Sequence, residues 1–116
     1  MRSELSERLL DFAVEIVKLV EKIRRNYVGR LVIGQLISSS TSAGANYEEA
    51  CAAESRSDFV HKLQIVLKEL RESLYWLRFI AKSNLIPAQE VGVLIKEGNE
   101  LANMVAKSIV TAKRNK

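Results

Sequence analysis

His61, Gln64, Lys68, Arg71, Tyr75, Arg78 and Lys82 follow one another at alternating steps of three and four residues. On a helix with 3.6 residues per turn such a series lies along one face. It forms a basic stripe with a tyrosine inside it, and its chemistry is electrostatic: it can steer a phosphate backbone or lock oppositely charged subunits together. Residues 55–86 hold six Lys or Arg against three acids, whereas residues 31–54 hold none against three. Positive and negative surface are thus separated along the chain. Arg24, Arg25 and Arg30, around the first turn, are further candidate contacts. The plainer reading is a solvated helix face, and Glu69 and Glu72 flank and dilute the charge.

Other chemistries find few residues to work with. A zinc site needs about four Cys, His or carboxylate ligands, and the chain has one histidine, His61, and one cysteine, Cys51. A carboxylate-bridged di-metal bundle uses two Glu-x-x-His motifs. Asp58-Phe59-Val60-His61 is at most one imitation, and Asp58 is better explained as a helix cap. Cys51, between Ala50 and Ala52, reads as a small packed residue, and the serines have no base beyond the lone His61. The expectation is a non-enzymatic protein without metal or cofactor.

Four helices must position the stripe. In the first, spanning about 3–26, Leu5, Leu9, Phe12, Ala13, Ile16, Leu19, Val20 and Ile23 line one face, and Asn26 and Gly29 mark the turn after it. The second, about 30–53, has no charged residue from Leu31 to Tyr47 and is crowded with small ones from Ser38 to Ala45. A helix without a charged face is expected to be buried on more than one side, so contact with another subunit is predicted. Its hydroxyls can bond back to carbonyls one turn earlier. Glu48, Glu49 and Glu54 then gather at the unfavourable end of the helix dipole, to be compensated by basic groups on another helix or chain.

The third helix, about 56–83, opens with Ser55 as cap and Asp58 three residues on. Phe59, Leu63, Val66, Leu67, Leu70, Leu74, Leu77 and Ala81 give it a core stripe, widened by Ile65, Trp76, Phe79 and Ile80. Asn84 ends it and Pro87 starts the fourth, about 87–113, which Gly92 and Gly98 weaken. The tail Lys113 to Lys116 is expected to fray. Long helices joined by short turns give an all-α, antiparallel up-down-up-down four-helix bundle in a single domain, 1–116.

Composition agrees: 47 % hydrophobic and 28 % charged residues suit a globular chain, and the single proline leaves the helices unbroken. A net charge of +4 permits a polyanionic partner without requiring one. One cysteine, the lack of a signal-peptide pattern, and an uncharged run too short and polar to span a membrane make a cytoplasmic protein the expectation.

The succession Ser38-Ser39-Ser40, Ser42-Ala43-Gly44-Ala45-Asn46-Tyr47-Glu48-Glu49-Ala50, Ala53-Glu54-Ser55, Asp58-Phe59, Lys62, Lys68-Glu69, Glu72 and Tyr75-Trp76-Leu77 resembles the four-helix-bundle proteins of the 23S rRNA intervening-sequence family. These are small proteins first noticed as reading frames inside insertions in bacterial large-subunit ribosomal RNA genes. The resemblance implies an antiparallel bundle that assembles as a ring, commonly a homopentamer. It also implies kinship with the accessory variability protein of diversity-generating retroelements, a basic pentamer thought to contact nucleic acid and a reverse transcriptase. No catalytic residues come with it. Asn46, Glu49, Glu54 and Asp58 carry over as family-pattern positions, structural around the turn between helices two and three. Two readings of function follow: an oligomer that binds RNA or DNA through Lys68, Arg71, Tyr75, Arg78 and Lys82, or a structural module whose partner is another protein.

Overall fold

Helix formation begins at three side-chain caps, each accepting a hydrogen bond from the backbone three residues on. Ser3 caps α1 (Glu4–Val20), Asn26 caps α2 (Tyr27–Cys51) and Ser55 caps α3 (Arg56–Ser83). Each is worth about 1 kcal/mol against alanine. Asn84 closes α3 in the left-handed conformation, at φ 59°, and the chain re-enters helix as α4 (Ala88–Arg114) just after Pro87. These elements come from a computed structural model that describes residues 3–114. Lys113 and Arg114, expected to fray, are the last residues of α4, while Asn115 and Lys116 lie outside the described residues.

α1 stops six residues before the expected 26. The Lys22 and Ile23 amides reach back only three residues, to the Leu19 and Val20 carbonyls. The Arg25 guanidinium then donates to the Ile23 and Glu21 carbonyls at 2.7 and 3.2 Å. Ile23 is nonetheless buried, so the apolar rhythm runs past the helix that produced it. Gly29 belongs not to the turn but to the first turn of α2. A Cβ there would lie 1.8 Å from the Arg24 carbonyl oxygen, so the close approach of the turn to α2 demands glycine.

α1 packs on α2, α2 on α3, α3 on α4, and α4 back on α1, while the diagonal pairs make no close approach. This is an all-α four-helix bundle measuring 49 × 23 × 20 Å. Its core holds Leu9, Phe12 and Ile16 of α1, Leu36 of α2, Leu63, Leu70 and Leu77 of α3, and Leu101 and Val105 of α4. Gly98 weakens α4 less than propensity suggests, because it is a seat for its neighbours. An added Cβ would meet Leu74 Cδ2 at 2.8 Å and Phe12 Cζ at 3.2 Å.

The serine run divides between two sides. Ser39 and Ser40 are buried, and Ser39, Ser40 and Thr41 donate to carbonyls three or four residues earlier. Leu31, Gly34, Gln35, Ser38, Thr41 and Ala45 are exposed. The uncharged helix is therefore covered on one side by its own chain, and its second side forms part of the surface.

One carboxylate of the acidic cluster is compensated by a basic group on another helix of the same chain. Lys62 of α3 donates to Glu49 at 2.8 Å, and Ser6 of α1 donates to Glu48. The Glu49 hydrogen bond also raises the Lys62 pKa. Across the bundle, Arg8 of α1 grips Glu97 of α4 with two nitrogens, at 2.6 and 3.0 Å, and reaches Glu100 at 3.2 Å. Those bonds push Arg8 further above its already high pKa.

Candidate nucleic-acid interface

The buried line of α3 runs through Leu63, Val66, Leu70, Ser73, Leu77 and Ile80. At 100° per residue the stripe His61, Gln64, Lys68, Arg71, Tyr75, Arg78, Lys82 falls nearly on the far side, and all seven residues are exposed. From Lys68 to Lys82 the rise is about 21 Å. Among the described residues, ion pairs engage Arg8, Lys18, Lys22 and Lys62. None engages Lys68, Arg71, Arg78 or Lys82. Glu69 and Glu72 are half-buried beside the stripe and neutralise none of its cations.

Each end of the stripe opens into a surface hollow. At the carboxyl-terminal end, about 400 Å³ is bounded by Tyr75, Arg78, Phe79, Lys82 and Ser83. Here Tyr75 is 57 % exposed. Its ring stands edge-to-face against Trp76 at 5.0 Å, and Trp76 stands the same way against Phe79 at 5.6 Å. At the other end, about 550 Å³ is bounded by Arg56, Ser57, Val60, His61, Gln64 and Lys113. Arg56 and Lys113 thus extend the cationic face beyond the residues the stripe alone suggests. Their signal in the sequence was faint, since Arg56 stands five residues before the stripe begins and Lys113 comes from another helix.

The Ser39–Ser73 contact sets the antiparallel register of α2 against α3. By that register Arg30 lies level with Lys82, so Arg24, Arg25 and Arg30 occupy the same end of the bundle as the Tyr75 hollow. Arg24 and Arg30 are exposed and have no ion-pair partner among the described residues. Arg25 differs, because its guanidinium is taken up by the carbonyls that finish α1.

The four family-pattern positions do separate jobs near the α2–α3 turn. Asn46 donates to the Ser42 carbonyl and hydroxyl at 2.9 and 3.1 Å, within its own helix. Glu49 holds Lys62, and the Asp58 amide completes the Ser55 cap. Glu54 lines an open hollow of about 740 Å³ with Cys51, Arg56, Phe59 and Lys107. Cys51 is exposed, not packed as its alanine neighbours suggest. Ala50 takes the inward position, and one residue further the helix has turned Cys51 outward.

Sequence reasoning passed over a second surface. Leu10, Val14 and Val17 of α1 are 40–53 % exposed, with Tyr27, Val28 and Leu31 of α2 exposed as well. Leu10 shares a groove with Thr41 and Ala45. The available signal was the spacing of 10, 14 and 17, a second apolar line beside the core line of α1. No three His, Cys, Asp or Glu residues gather as a metal site among the described residues, and no described helix is long and apolar enough to cross a membrane.

An antiparallel all-α bundle whose α3 carries an exposed cationic face, without ion pairs among the described residues, is the class these features define. The chain belongs to the 23S rRNA-intervening sequence protein family, whose sequence model matches residues 2–107. Among solved structures it is similar to a Bacteroides thetaiotaomicron VPI-5482 protein of unknown function, described as from the S23 ribosomal protein family. The TM-score is 0.84 and the identity 32 %, over 90 % of this chain and 97 % of that one. No curated protein matches the sequence.

Proposed function

We propose that this protein is a non-enzymatic homo-oligomer of the cytoplasm that binds structured RNA or DNA through the outer face of α3. The observation that carries the reading is that Lys68, Arg71, Arg78 and Lys82 are exposed over about 21 Å with no ion-pair partner among the described residues. Cations held by no partner can neutralise phosphates and release the counterions condensed on the nucleic acid, a large source of affinity.

Self-association is supported by the exposed apolar residues Leu10, Val14, Val17, Val28 and Leu31 beside the small-residue side of α2. The ring of five implied by the family resemblance would repeat the cationic face around its circumference. Weak sites would then act together by effective concentration. The kinship with the retroelement accessory protein that the family resemblance implies would fit the same picture. A second reading, in which the stripe docks on the acidic cluster of a neighbour, has less to work with at Glu49, which already holds Lys62.

Fluorescence anisotropy with a structured ribosomal RNA fragment and a DNA duplex across a salt series tests the proposal. Log affinity should fall linearly with log salt, by about 0.9 per phosphate neutralised on duplex DNA. Lys68→Glu with Arg71→Glu should weaken binding and flatten that slope. Absence of binding at low salt, or affinity indifferent to the double variant, would overturn it.

A further inference from the structure

We infer that the Tyr75 end of the α3 face is a seat for an unpaired nucleobase, so that the protein prefers single-stranded segments of nucleic acid over duplex. This rests on the phosphate-binding reading above and adds the part of the ligand that reading leaves open. Tyr75 contributes little to the core: more than half of its surface meets water. Its ring is nonetheless braced, edge-on against Trp76, which is braced in turn by Phe79. A braced, accessible aromatic ring loses little freedom when a base stacks on it.

The surroundings supply what an unpaired nucleotide needs. The hollow beside Tyr75, about 400 Å³, has Phe79 as an apolar wall and the cations Arg78 and Lys82 at its rim. Arg71 and Arg78 stand four and three residues from Tyr75, about 6 and 4.5 Å along the helix axis, so phosphates on both sides of a seated base meet positive charge. The Ser83 hydroxyl donates its proton to the Phe79 carbonyl at 2.7 Å, which leaves its oxygen able to accept from a base amino group. A duplex cannot use this arrangement, because its bases are stacked on each other and a convex helix face meets only backbone. A splayed single strand can lay a base on the ring and its phosphates on the cations.

Trp76 is the chain's single tryptophan and lies 5.0 Å from the Tyr75 ring, so its emission reports on the seat directly. The experiment titrates the full chain with a 12-nucleotide single strand of RNA, the same strand of DNA, and a hairpin duplex of equal phosphate count. Anisotropy and Trp76 emission are read at one salt concentration. Expected are tighter binding and Trp76 quenching with single strands. Quenching by RNA alone or DNA alone would support the seat and name its source. Tyr75→Ala should lose on the order of tenfold on single strands and leave the duplex within twofold, while Tyr75→Phe keeps most of the affinity. Equal affinity for strand and duplex, with Tyr75→Ala silent and Lys68→Glu/Arg71→Glu still damaging, would overturn the base seat and leave phosphate binding standing. No binding of any probe would overturn both.

Discussion

Ser39 of α2 and Ser73 of α3 share a 2.7 Å hydrogen bond near the middle of both helices, where neither side chain meets water. One hydroxyl donates across the pair and the other donates back to its own helix, either Ser39 to the Leu36 carbonyl at 3.3 Å or Ser73 to the Glu69 carbonyl at 3.0 Å. Two small hydroxyl residues thus let the α2 and α3 backbones come close while leaving no polar atom orphaned. Replacing either with alanine should cost about 1 kcal/mol, the usual net worth of a buried hydrogen bond. The double alanine variant should cost less than the sum of the two, since the shared bond is lost only once. Urea unfolding of the four proteins measures this cycle.

Two glycines of α4 should respond in opposite senses to the same substitution. Gly92 has no atom within 4 Å of an added Cβ, so Gly92→Ala should stabilise by about 0.5–1 kcal/mol through helix propensity alone. Gly98→Ala drives a methyl to 2.8 Å from Leu74 and 3.2 Å from Phe12. Overpacking of about 1–3 kcal/mol outweighs the propensity gain there. Thermal unfolding followed by circular dichroism should show the midpoints moving apart.

Carboxylates placed on the apolar line of α1 should dissolve the proposed assembly without unfolding the chain. Leu10→Glu with Val14→Glu touches residues that are 53 % and 44 % exposed, so the core is untouched. Light scattering should report a multimer for the parent and single copies for the variant, with the helical spectrum retained. A monomeric parent would contradict the proposed self-association.

Alkaline solution should destabilise the fold beginning near pH 10. Burial raises the Tyr47 pKa, with Cys51 and Glu48 adding to the shift, and the Glu49 hydrogen bond raises that of Lys62. For both groups the folded state holds its proton more tightly than the unfolded chain. Their stabilisation is complete below the unfolded values, about 10 and 10.4, and is lost as pH climbs through the folded ones. Tyr47→Phe should flatten the decline between pH 9 and 11, measured as urea midpoints across that range.

The helices were legible because burial and capping leave local marks. The core line of α3 and the Ser55 cap with Asp58 could be read from spacing. The end of α1 could not, since Ile23 keeps the apolar period while the backbone has already left the helix. Gly98 looked like a weak point, yet Leu74 and Phe12 of two other helices pack against it, and Gly29, read as a turn marker, faces the Arg24 carbonyl from inside α2. Propensity is a local quantity and says nothing about who approaches. Cys51 was misplaced for a related reason: neighbours in sequence point in different directions on a helix.

At the candidate interface the stripe itself was legible, because an exposed helix face is periodic. Its lack of ion pairs among the described residues was not, as that depends on Glu49 choosing Lys62 and on Glu97 and Glu100 choosing Arg8. The contributions of Arg56 and Lys113 to one hollow depend on α3 and α4 lying side by side. Leu10, Val14 and Val17 were hidden by the stronger core signal on the same helix.

α1 and α3 stand at opposite corners of the bundle, with no close approach between their backbones. If copies gather through the greasy corner as proposed, its sequence can be rewritten to change their number while the charged corner keeps its backbone. The reverse holds too. Relatives of this chain could diverge in stoichiometry and in ligand along two independent axes, with the common scaffold between them unchanged.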